Sequence, residues 1–240
     1  MPRSSTSNGE SSSFSQDEIY AQIVEALVDQ RMLPGTRLNE LALCEVFKLS
    51  RREMEKVLLK LSFVGLVKLI PNRGAFVASS DASEARAILS ARKIVEAGIV
   101  EAVALRATGA DFKRLEQNIA REDECRHAGR MREAIKHSGE FHILLAEITG
   151  NFILCDLMKQ LVARTSLVVS LYENPNGLSC WHGDHATLLR HLRAHKARPA
   201  MTLMQRHLDD LEESLVFAPQ QDQSPDLRAI FGGVGKGRNG

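Results

Sequence analysis

The chain has 240 residues and a formal net charge of +1, so it is long enough for two domains and has no overall attraction to nucleic acid. Its content of 44% hydrophobic and 25% charged residues is ordinary for a soluble globular protein. No apolar run has the length of a membrane span, the first residues lack the apolar core of a signal peptide, and the four cysteines show no repeated spacing. We therefore expect a cytoplasmic protein with reduced thiols and no membrane association.

Three short helices are predicted near the N-terminus, each marked by a residue that can cap its first turn. Residues 1–14 are rich in serine and predict a disordered tail. Ser15 and Glu18 then have the spacing of a capping box, in which each side chain bonds to the other residue's backbone N–H. Asn39 and Ser50 are candidate caps for the second and third helices.

The third helix leads into a predicted two-stranded wing. The helix has apolar residues at steps of three and four, namely Met54, Val57, Leu58, Leu61 and Val64. This spacing buries one face of a helix and leaves the other face free. Gly65 follows the last turn and is typical of a residue that ends a helix with positive φ. Two short apolar runs, 66–70 and 75–78, flank a Pro-Asn-Arg-Gly turn and predict paired strands.

The free surface of this region is strongly basic. Between Val46 and Phe76 the sequence has seven basic and two acidic side chains, a net charge of +5. Because the whole chain carries only +1, the positive charge is concentrated where a DNA duplex would lie. The residues that we predict to contact DNA are Arg51, Arg52, Lys56, Lys60, Arg73 and Gly74.

This segment resembles the winged helix-turn-helix of the GntR family of bacterial transcriptional regulators. The corresponding motifs are Leu33-Pro34-Gly35 with Leu38, Leu43-Cys44-Glu45, Leu49-Ser50-Arg51, Gly65-Leu66-Val67 and Arg73-Gly74-Ala75-Phe76-Val77. The resemblance implies that the third helix enters the major groove of an operator. It also implies that the wing contacts phosphate or the minor groove.

The recognition helix departs from the family pattern at one candidate contact. The family usually has Ser-Arg-Thr-Pro-Val-Arg-Glu-Ala-Leu here, whereas this chain has Arg52, Glu53 and Met54 in place of Thr-Pro-Val. Glu55 stands where the family's second arginine contacts DNA, and a carboxylate that faces phosphate is unfavourable. Either Arg52 and Lys56 take over this contact, or the operator differs from the family's.

The rest of the chain is predicted to be an all-α bundle. Residues 79–83 form a candidate linker and helix cap, and no stretch beyond them alternates as a strand would. Breaks that contain glycine or proline predict about six helices, at 84–106, 110–127, 131–149, 152–173, 180–196 and 199–217. The predicted fold is therefore mainly α. It has a winged helix-turn-helix over 15–79, an all-helical domain for effector binding and dimerisation over 80–217, and a flexible tail over 218–240.

Three histidines on apolar helix faces are candidate metal ligands. His142 precedes a leucine by three residues, His185 is followed by leucines on the same side of its helix, and His207 lies one turn from a leucine on either side. Imidazoles that reach the interior from three helices could bind one divalent metal such as Zn, Ni or Mn. The alternative is that each is a core histidine whose ring bonds to a neighbour.

The same histidines carry a second resemblance, to the FCD ligand-binding domain of the FadR branch of GntR regulators. The shared marks are Phe141-His142, Gly150-Asn151, Asp184-His185 and His207-Leu208. The resemblance implies a metal on the three histidines and an effector site that includes Asn151. The position four before His142, usually Asp or Asn in the family, is Ser138. Its neutral hydroxyl is a poor ligand and weakens metal binding, most of all for metals that prefer oxygen.

Arg92 is a candidate for binding an acidic effector. Its setting, Arg92-Lys93-Ile94-Val95-Glu96, resembles the Arg-x-x-Leu-Glu start of the family's first effector-domain helix. An inward guanidinium could hold a carboxylate by two parallel hydrogen bonds. Equally, Arg92 could form an ion pair with Glu96, one turn further on, on a solvated face.

These features predict a DNA-binding transcriptional repressor whose affinity for its operator is controlled by a small organic acid, with a divalent metal in the effector domain. We expect a homodimer on a two-fold operator of double-stranded DNA, because one winged helix reads few base pairs. Two alternatives stay open. One is a metal-dependent enzyme on the helical domain, with a metal-bound water as nucleophile. The other is a DNA-binding dimer whose helical domain binds no effector.

Overall fold

A computed structural model of the chain describes residues 14–172 and 184–216. Most of the two predicted tails, 1–14 and 218–240, lies outside these residues. Phe14 is described, and its ring packs edge-on against Phe47 with the ring centres 6.3 Å apart. The predicted helix ends at residues 173, 180 and 217 also lie outside the described residues.

The chain folds into three helices and a small sheet, followed by a bundle of helices. The N-terminal winged unit contains α1 (Gln16–Val28), β1 (Arg37–Leu38), α2 (Glu40–Phe47), α3 (Arg51–Phe63), β2 (Val67–Ile70) and β3 (Gly74–Val77). The bundle contains α4 (Ala82–Arg106), α5 (Gly109–His127), α6 (Met131–Ile148), α7 (Phe152–Tyr172), α8 (Asp184–Arg193) and α9 (Ala197–Glu213). The prediction of a mainly α chain, with a winged helix-turn-helix before an all-helical bundle, is confirmed for the described residues.

All three predicted caps form in the winged unit. The Ser15 hydroxyl accepts a hydrogen bond from the Glu18 N–H, and the Glu18 carboxylate accepts one from the Ser15 N–H. Ser50 and Glu53 form the same box at the start of α3. The Asn39 side chain accepts from two N–H groups in the first turn of α2. Each cap satisfies backbone donors that have no partner inside the helix, and so fixes where the helix begins.

The wing is part of a three-stranded antiparallel sheet, one strand more than the sequence predicted. β3 lies in the middle, with β1 on one side and β2 on the other. Arg37 of β1 pairs with Phe76, and Leu38 pairs with Ala75. A strand of two residues is too short to show alternation, so only its place beside β3 identifies it. The additional strand ties the segment before α2 to the wing.

Where the predicted helix ends fall among the described residues, the helices of the bundle begin and end within a few residues of them. α4 packs mainly against α9, and α5 against α6, while α7 lies beside both α4 and α6. The apolar faces form one core that includes Phe141, Leu145, Met158 and Leu188. Among the described helices, none is both long and apolar enough to cross a membrane.

Helix α7 contributes to the hydrophobic cores of both units. Ala163 and Leu167 are buried among the apolar side chains of the winged unit, whereas Met158 and Val168 belong to the core of the bundle. α1 packs directly against α7. The winged unit and the bundle therefore share a helix, and the position of one depends on the position of the other.

Polar contacts reinforce this junction. Lys136 Nζ of α6 lies 2.7 Å from Glu25 Oε1 of α1. The Tyr172 hydroxyl at the end of α7 donates a hydrogen bond to the Ser80 carbonyl in the linker, at 2.6 Å. These contacts join both ends of the winged unit to the bundle.

Gly65 combines a left-handed backbone with close contact to α7. Its φ is +75°, and a Cβ atom there would lie 3.2 Å from Arg164 Nε. We expect Gly65→Ala to lower the free energy of unfolding by about 1–2 kcal/mol, because an alanine is strained in this conformation. Urea denaturation of the full chain measures the change.

The matched control is Gly98→Ala. It places the same methyl group in open space within α4 and is expected to be neutral or to stabilise by about 0.5–1 kcal/mol. Equal urea midpoints for the two variants would contradict the requirement for glycine at position 65.

Candidate functional site

The basic side chains predicted to contact DNA are accessible. α3 buries Met54 and Leu58 in the core and turns Arg51, Arg52 and Lys56 to solvent. Because α3 is capped at Ser50 by its side chain, these cations occupy the first turns of a helix with a fixed start. These cations are therefore exposed on one face of α3, where the DNA-contacting side chains of a recognition helix are found.

A groove of about 720 Å³ lies between α2, α3 and the wing. Arg51 lines it from α3, Glu40 lines it from α2, and Arg73 and Gly74 line it from the turn of the wing. Arg37 of β1 also lines the groove, although the sequence analysis did not single it out. Its only sequence signal is its positive charge, because the pattern does not reveal the two-residue strand to which it belongs. The structure thus brings together three predicted DNA contacts, two of them cations, and adds Arg37 as a third cation.

Arg51 forms ion pairs with two carboxylates. Glu40 Oε2 lies 3.6 Å and Glu55 Oε1 lies 3.7 Å from Arg51 Nε. The arginine side chain remains 71% exposed. Glu55 is therefore next to a cation, which offsets part of the repulsion between its carboxylate and phosphate.

Lys60 lies in a different place from the other predicted DNA contacts. Its Nζ is 2.7 Å from Asp17 Oδ1 and 4.6 Å from the centre of the Tyr20 ring, and both partners belong to α1. On the wing, the Arg73 guanidinium lies over the Phe76 ring at 5.7 Å. Lys60 thus belongs to the contact between α1 and α3, and it does not line the groove beside the wing.

His142, His185 and His207 meet inside the helical bundle. One ring nitrogen from each lies within 4.8 Å of those of the other two, and all three side chains are buried. Their ring centres are 4.9 to 5.4 Å apart. The Phe141 ring stacks on His185 with the ring centres 4.2 Å apart, which restrains the plane of that imidazole. α6, α8 and α9 each supply one of the three predicted ligands.

Glu96 lies in a buried network with His142 and Arg92. Its Oε2 accepts from His142 Nδ1 at 2.5 Å, and its Oε1 accepts from Arg92 Nε at 2.6 Å. Burial by itself would raise the pKa of Glu96, but the charge of Arg92 and the contacts with His142 outweigh it and lower the pKa to about 2. Burial also lowers the pKa of His142 to about 3, so this imidazole is neutral and can act as a ligand.

Glu122 repeats this arrangement on α5. Its Oε2 accepts from His185 Nδ1 at 2.8 Å, and its Oε1 pairs with Arg126. Burial by itself would raise the pKa of Glu122, but the hydrogen bond from His185 and the pair with Arg126 lower it to about 2. The sequence analysis missed Glu122, although its spacing of three from Ile119 places it on the buried face of α5.

Asp184 forms a third such contact at the edge of the cluster. Its Oδ2 lies 3.4 Å from His207 Nδ1, and its Oδ1 lies 3.3 Å from Arg206 Nη2. Burial lowers the pKa of His207, and the hydrogen bond with His207 lowers the pKa of Asp184. Each of the three histidines therefore has a carboxylate on its Nδ1 side.

Arg92 is buried and faces a small cavity beside the histidines. Its Nε binds Glu96, but its Nη2 has no hydrogen-bond partner among the described residues. The cavity measures about 30 Å³, and its polar lining comprises Arg92, Ser138, His142, Thr165, Ser166 and His207. Arg92 therefore forms the ion pair with Glu96 that one alternative described, and it also keeps an unsatisfied donor, so its role in binding an effector stays a prediction. The pair is buried, not on the solvated face that one alternative assumed.

Asn151 and Ser138 lie in different surroundings. Asn151 is exposed, and its side-chain oxygen accepts from the N–H groups of Ile153 and Leu154, so it caps α7. It does not line the cavity, and the structure does not bring this predicted effector residue to the histidines. Ser138 is buried one turn before His142 and does line the cavity.

Two family descriptions match successive parts of the chain. Residues 15–77 match "Bacterial regulatory proteins, gntR family", and residues 87–210 match the FCD domain. A winged DNA reader followed by a small-molecule-binding helical domain defines a class of protein, the ligand-responsive transcriptional regulators, which are not enzymes. The chain belongs to the GntR family of bacterial regulators and carries a C-terminal FCD domain. The predicted resemblance and the predicted function of DNA-binding transcriptional regulator are thereby confirmed.

Named relatives and solved structures agree with this membership. The chain is 27% identical to the Uxu operon transcriptional regulator of Escherichia coli, over 83% of this chain and 86% of that one. It is also 27% identical to the galactonate operon transcriptional repressor of the same species, over 75% and 83% of the two chains. A putative GntR regulator from Rhodococcus has the same fold, with a TM-score of 0.75, 22% identity and coverage of 85% of this chain and 99% of that chain.

Arg51→Ala is expected to weaken binding to operator DNA by about 1–3 kcal/mol, because a contact to a base or phosphate is lost. Fluorescence anisotropy at fixed salt, with promoter fragments from the gene's own locus, measures the affinity. Arg198→Ala is the control, since it removes an exposed arginine from α9 and is expected to leave the affinity unchanged. Wild-type affinity for the Arg51→Ala variant would show that α3 is wrongly assigned as the recognition helix.

Proposed function

We propose that the chain is a repressor of the FadR branch whose affinity for its operator depends on a small carboxylate and a divalent metal. The observation that carries this proposal is the convergence of three buried imidazoles in a domain joined to a DNA reader. The name of the galactonate operon repressor supports it, because galactonate is a sugar carboxylate. Since a repressor acts on chromosomal DNA, we place the protein in the cytoplasm.

The residues of the cluster fit a metal that prefers nitrogen ligands. His185 Nε2 is buried and has no hydrogen-bond partner among the described residues, whereas buried polar atoms normally have one. We propose His142, His185 and His207 as the ligands. Three imidazoles without a carboxylate suit Zn²⁺ or Ni²⁺ better than Mn²⁺, which prefers oxygen. When bound, the metal would supply a positive charge that attracts an anionic effector.

The effector's carboxylate, in this proposal, contacts Arg92. The unsatisfied Nη2 would donate a charge-assisted hydrogen bond to it. The cavity of about 30 Å³ has room for a water molecule, whereas pockets for organic ligands measure about 300–1,000 Å³. The effector therefore binds a more open arrangement of the helices that line the cavity, and its binding shifts the protein towards that arrangement.

Helix α7 would transmit this change to the DNA-binding unit. Thr165 and Ser166 line the cavity, while Ala163 and Leu167 pack in the core of the winged unit. A displacement of α7 that opens the cavity thus also displaces the winged unit. In a homodimer this alters the distance between the two recognition helices, so that they no longer match the half-sites of the operator.

The direct test compares His185→Ala with His191→Ala, a histidine on the same helix outside the cluster. His185→Ala is expected to abolish Zn²⁺ binding and the response to effector while operator affinity stays close to that of wild type. Elemental analysis measures the metal, and anisotropy with a panel of small carboxylates measures the response. A metal-free wild-type protein together with an unaltered response in His185→Ala would refute the proposal.

Ser138→Asp is expected to raise metal affinity by at least tenfold, most of all for Mn²⁺, because it adds an anionic oxygen ligand beside His142. Ser138→Ala is the control, since it removes the hydroxyl without adding charge. Competition with a chromophoric chelator measures both. Equal affinities for the two variants would mean that the side chain at position 138 does not reach the metal.

A further inference from the structure

The three histidines share one arrangement with their neighbours that the family resemblance did not indicate. In each case one carboxylate divides its two oxygens between an arginine and an imidazole Nδ1. The sets are Arg92–Glu96–His142, Arg126–Glu122–His185 and Arg206–Asp184–His207. We name each set an Arg–carboxylate–His triad.

We infer that Glu96, Glu122 and Asp184 are positioning residues that fix the tautomer of the metal-binding imidazoles, and that the arginines orient them. This inference rests on the proposed metal site. An ionised carboxylate can only accept hydrogen bonds, so the Nδ1 that faces it carries the proton. A neutral imidazole with its proton on Nδ1 has its lone pair on Nε2. Each triad therefore presents Nε2 as the ligand atom.

The geometry of the cluster agrees with this assignment. The three carboxylates come from α4, α5 and α8, so they hold the imidazoles from different sides. In each ring Nε2 lies away from Nδ1 and its carboxylate. His185 Nε2 is buried and has no hydrogen-bond partner among the described residues, as expected for a nitrogen reserved for a ligand.

When a carboxylate of a triad is replaced by an amide, the arginine determines which way the amide group is oriented. A guanidinium has only donors, so it requires an oxygen opposite it. In Glu122→Gln the amide oxygen therefore turns to Arg126, and the amide NH₂ turns to His185 Nδ1. That nitrogen must then accept, so the proton moves to Nε2 and blocks the lone pair. A substitution that replaces one oxygen by an NH₂ group thus reverses the tautomer without removing the side chain.

The experiment uses the full chain labelled with ¹⁵N in its histidine rings and stripped of metal with a chelator. Long-range ¹H–¹⁵N correlation spectra distinguish the two neutral tautomers. His142, His185 and His207, assigned by single substitutions, are expected to be protonated on Nδ1 in wild type. In Glu122→Gln, His185 alone is expected to change to the Nε2–H form.

Zn²⁺ affinity, measured by competition with a chelator, provides the second readout. Glu122→Gln is expected to lower it by about 10–100-fold. Glu116→Gln is the control, because it makes the same change on the same helix in an exposed pair with Arg193 and is expected to alter neither readout. Asp184→Asn gives the same test for His207 at the edge of the cluster, where a folding defect is less of a concern than in the buried triads.

The outcomes separate this inference from the proposed function. Nε2–H tautomers at His142 and His185 in the metal-free wild type would overturn the inference, as would an unchanged His185 spectrum in a folded Glu122→Gln variant. Wild-type protein that binds no Zn²⁺ but shows the three Nδ1–H tautomers would instead refute the proposed metal site alone, because the spectra test the tautomers without metal.

Discussion

The packing of α7 into two hydrophobic cores is the constraint on which the rest of the structure depends. Ala163 and Leu167 complete the core of the winged unit, and neighbouring residues of the same helix complete the core of the bundle. A helix is stiff and its core contacts are close-packed, so it cannot move against one unit without moving against the other. The FCD domain and the DNA reader are therefore mechanically joined, which a flexible linker alone would not achieve.

Burying the charged groups at the centre of the bundle costs folding free energy. Their presence is better explained by a role in binding. Burying an ion pair brings a desolvation penalty that its own attraction often only just offsets, and removing one partner typically costs about 3–5 kcal/mol. Arg92 with Glu96, and Arg126 with Glu122, are both buried in this way. Replacing a buried ion pair by apolar side chains of similar volume is often neutral or even stabilising. The charged groups instead hold three imidazoles in fixed orientations beside a small polar cavity.

The sequence predicted what depends on local patterns and missed what depends on contacts between distant residues. The caps at Ser15, Asn39 and Ser50 and the helical spacing of apolar residues gave the element order, and the three histidines were found because each lies on an apolar helix face. Glu122 was missed because its partner His185 is 63 positions away and its own neighbours in sequence are polar. Asn151 carried a family motif, but in the structure its side chain caps α7, since a helix start needs an acceptor there.

Amide hydrogen exchange tests most directly the claim that the histidine cluster and the DNA-binding unit are coupled through α7. Exchange of wild-type protein is compared with and without saturating Zn²⁺, and with Zn²⁺ plus a small carboxylate that changes its affinity for operator DNA. The account predicts changed protection in residues 152–172 and also in α1, which packs against α7 and contributes no residue to the lining of the cavity. Changes confined to the helices that carry the histidines, with α1 and α7 unaffected, would contradict it.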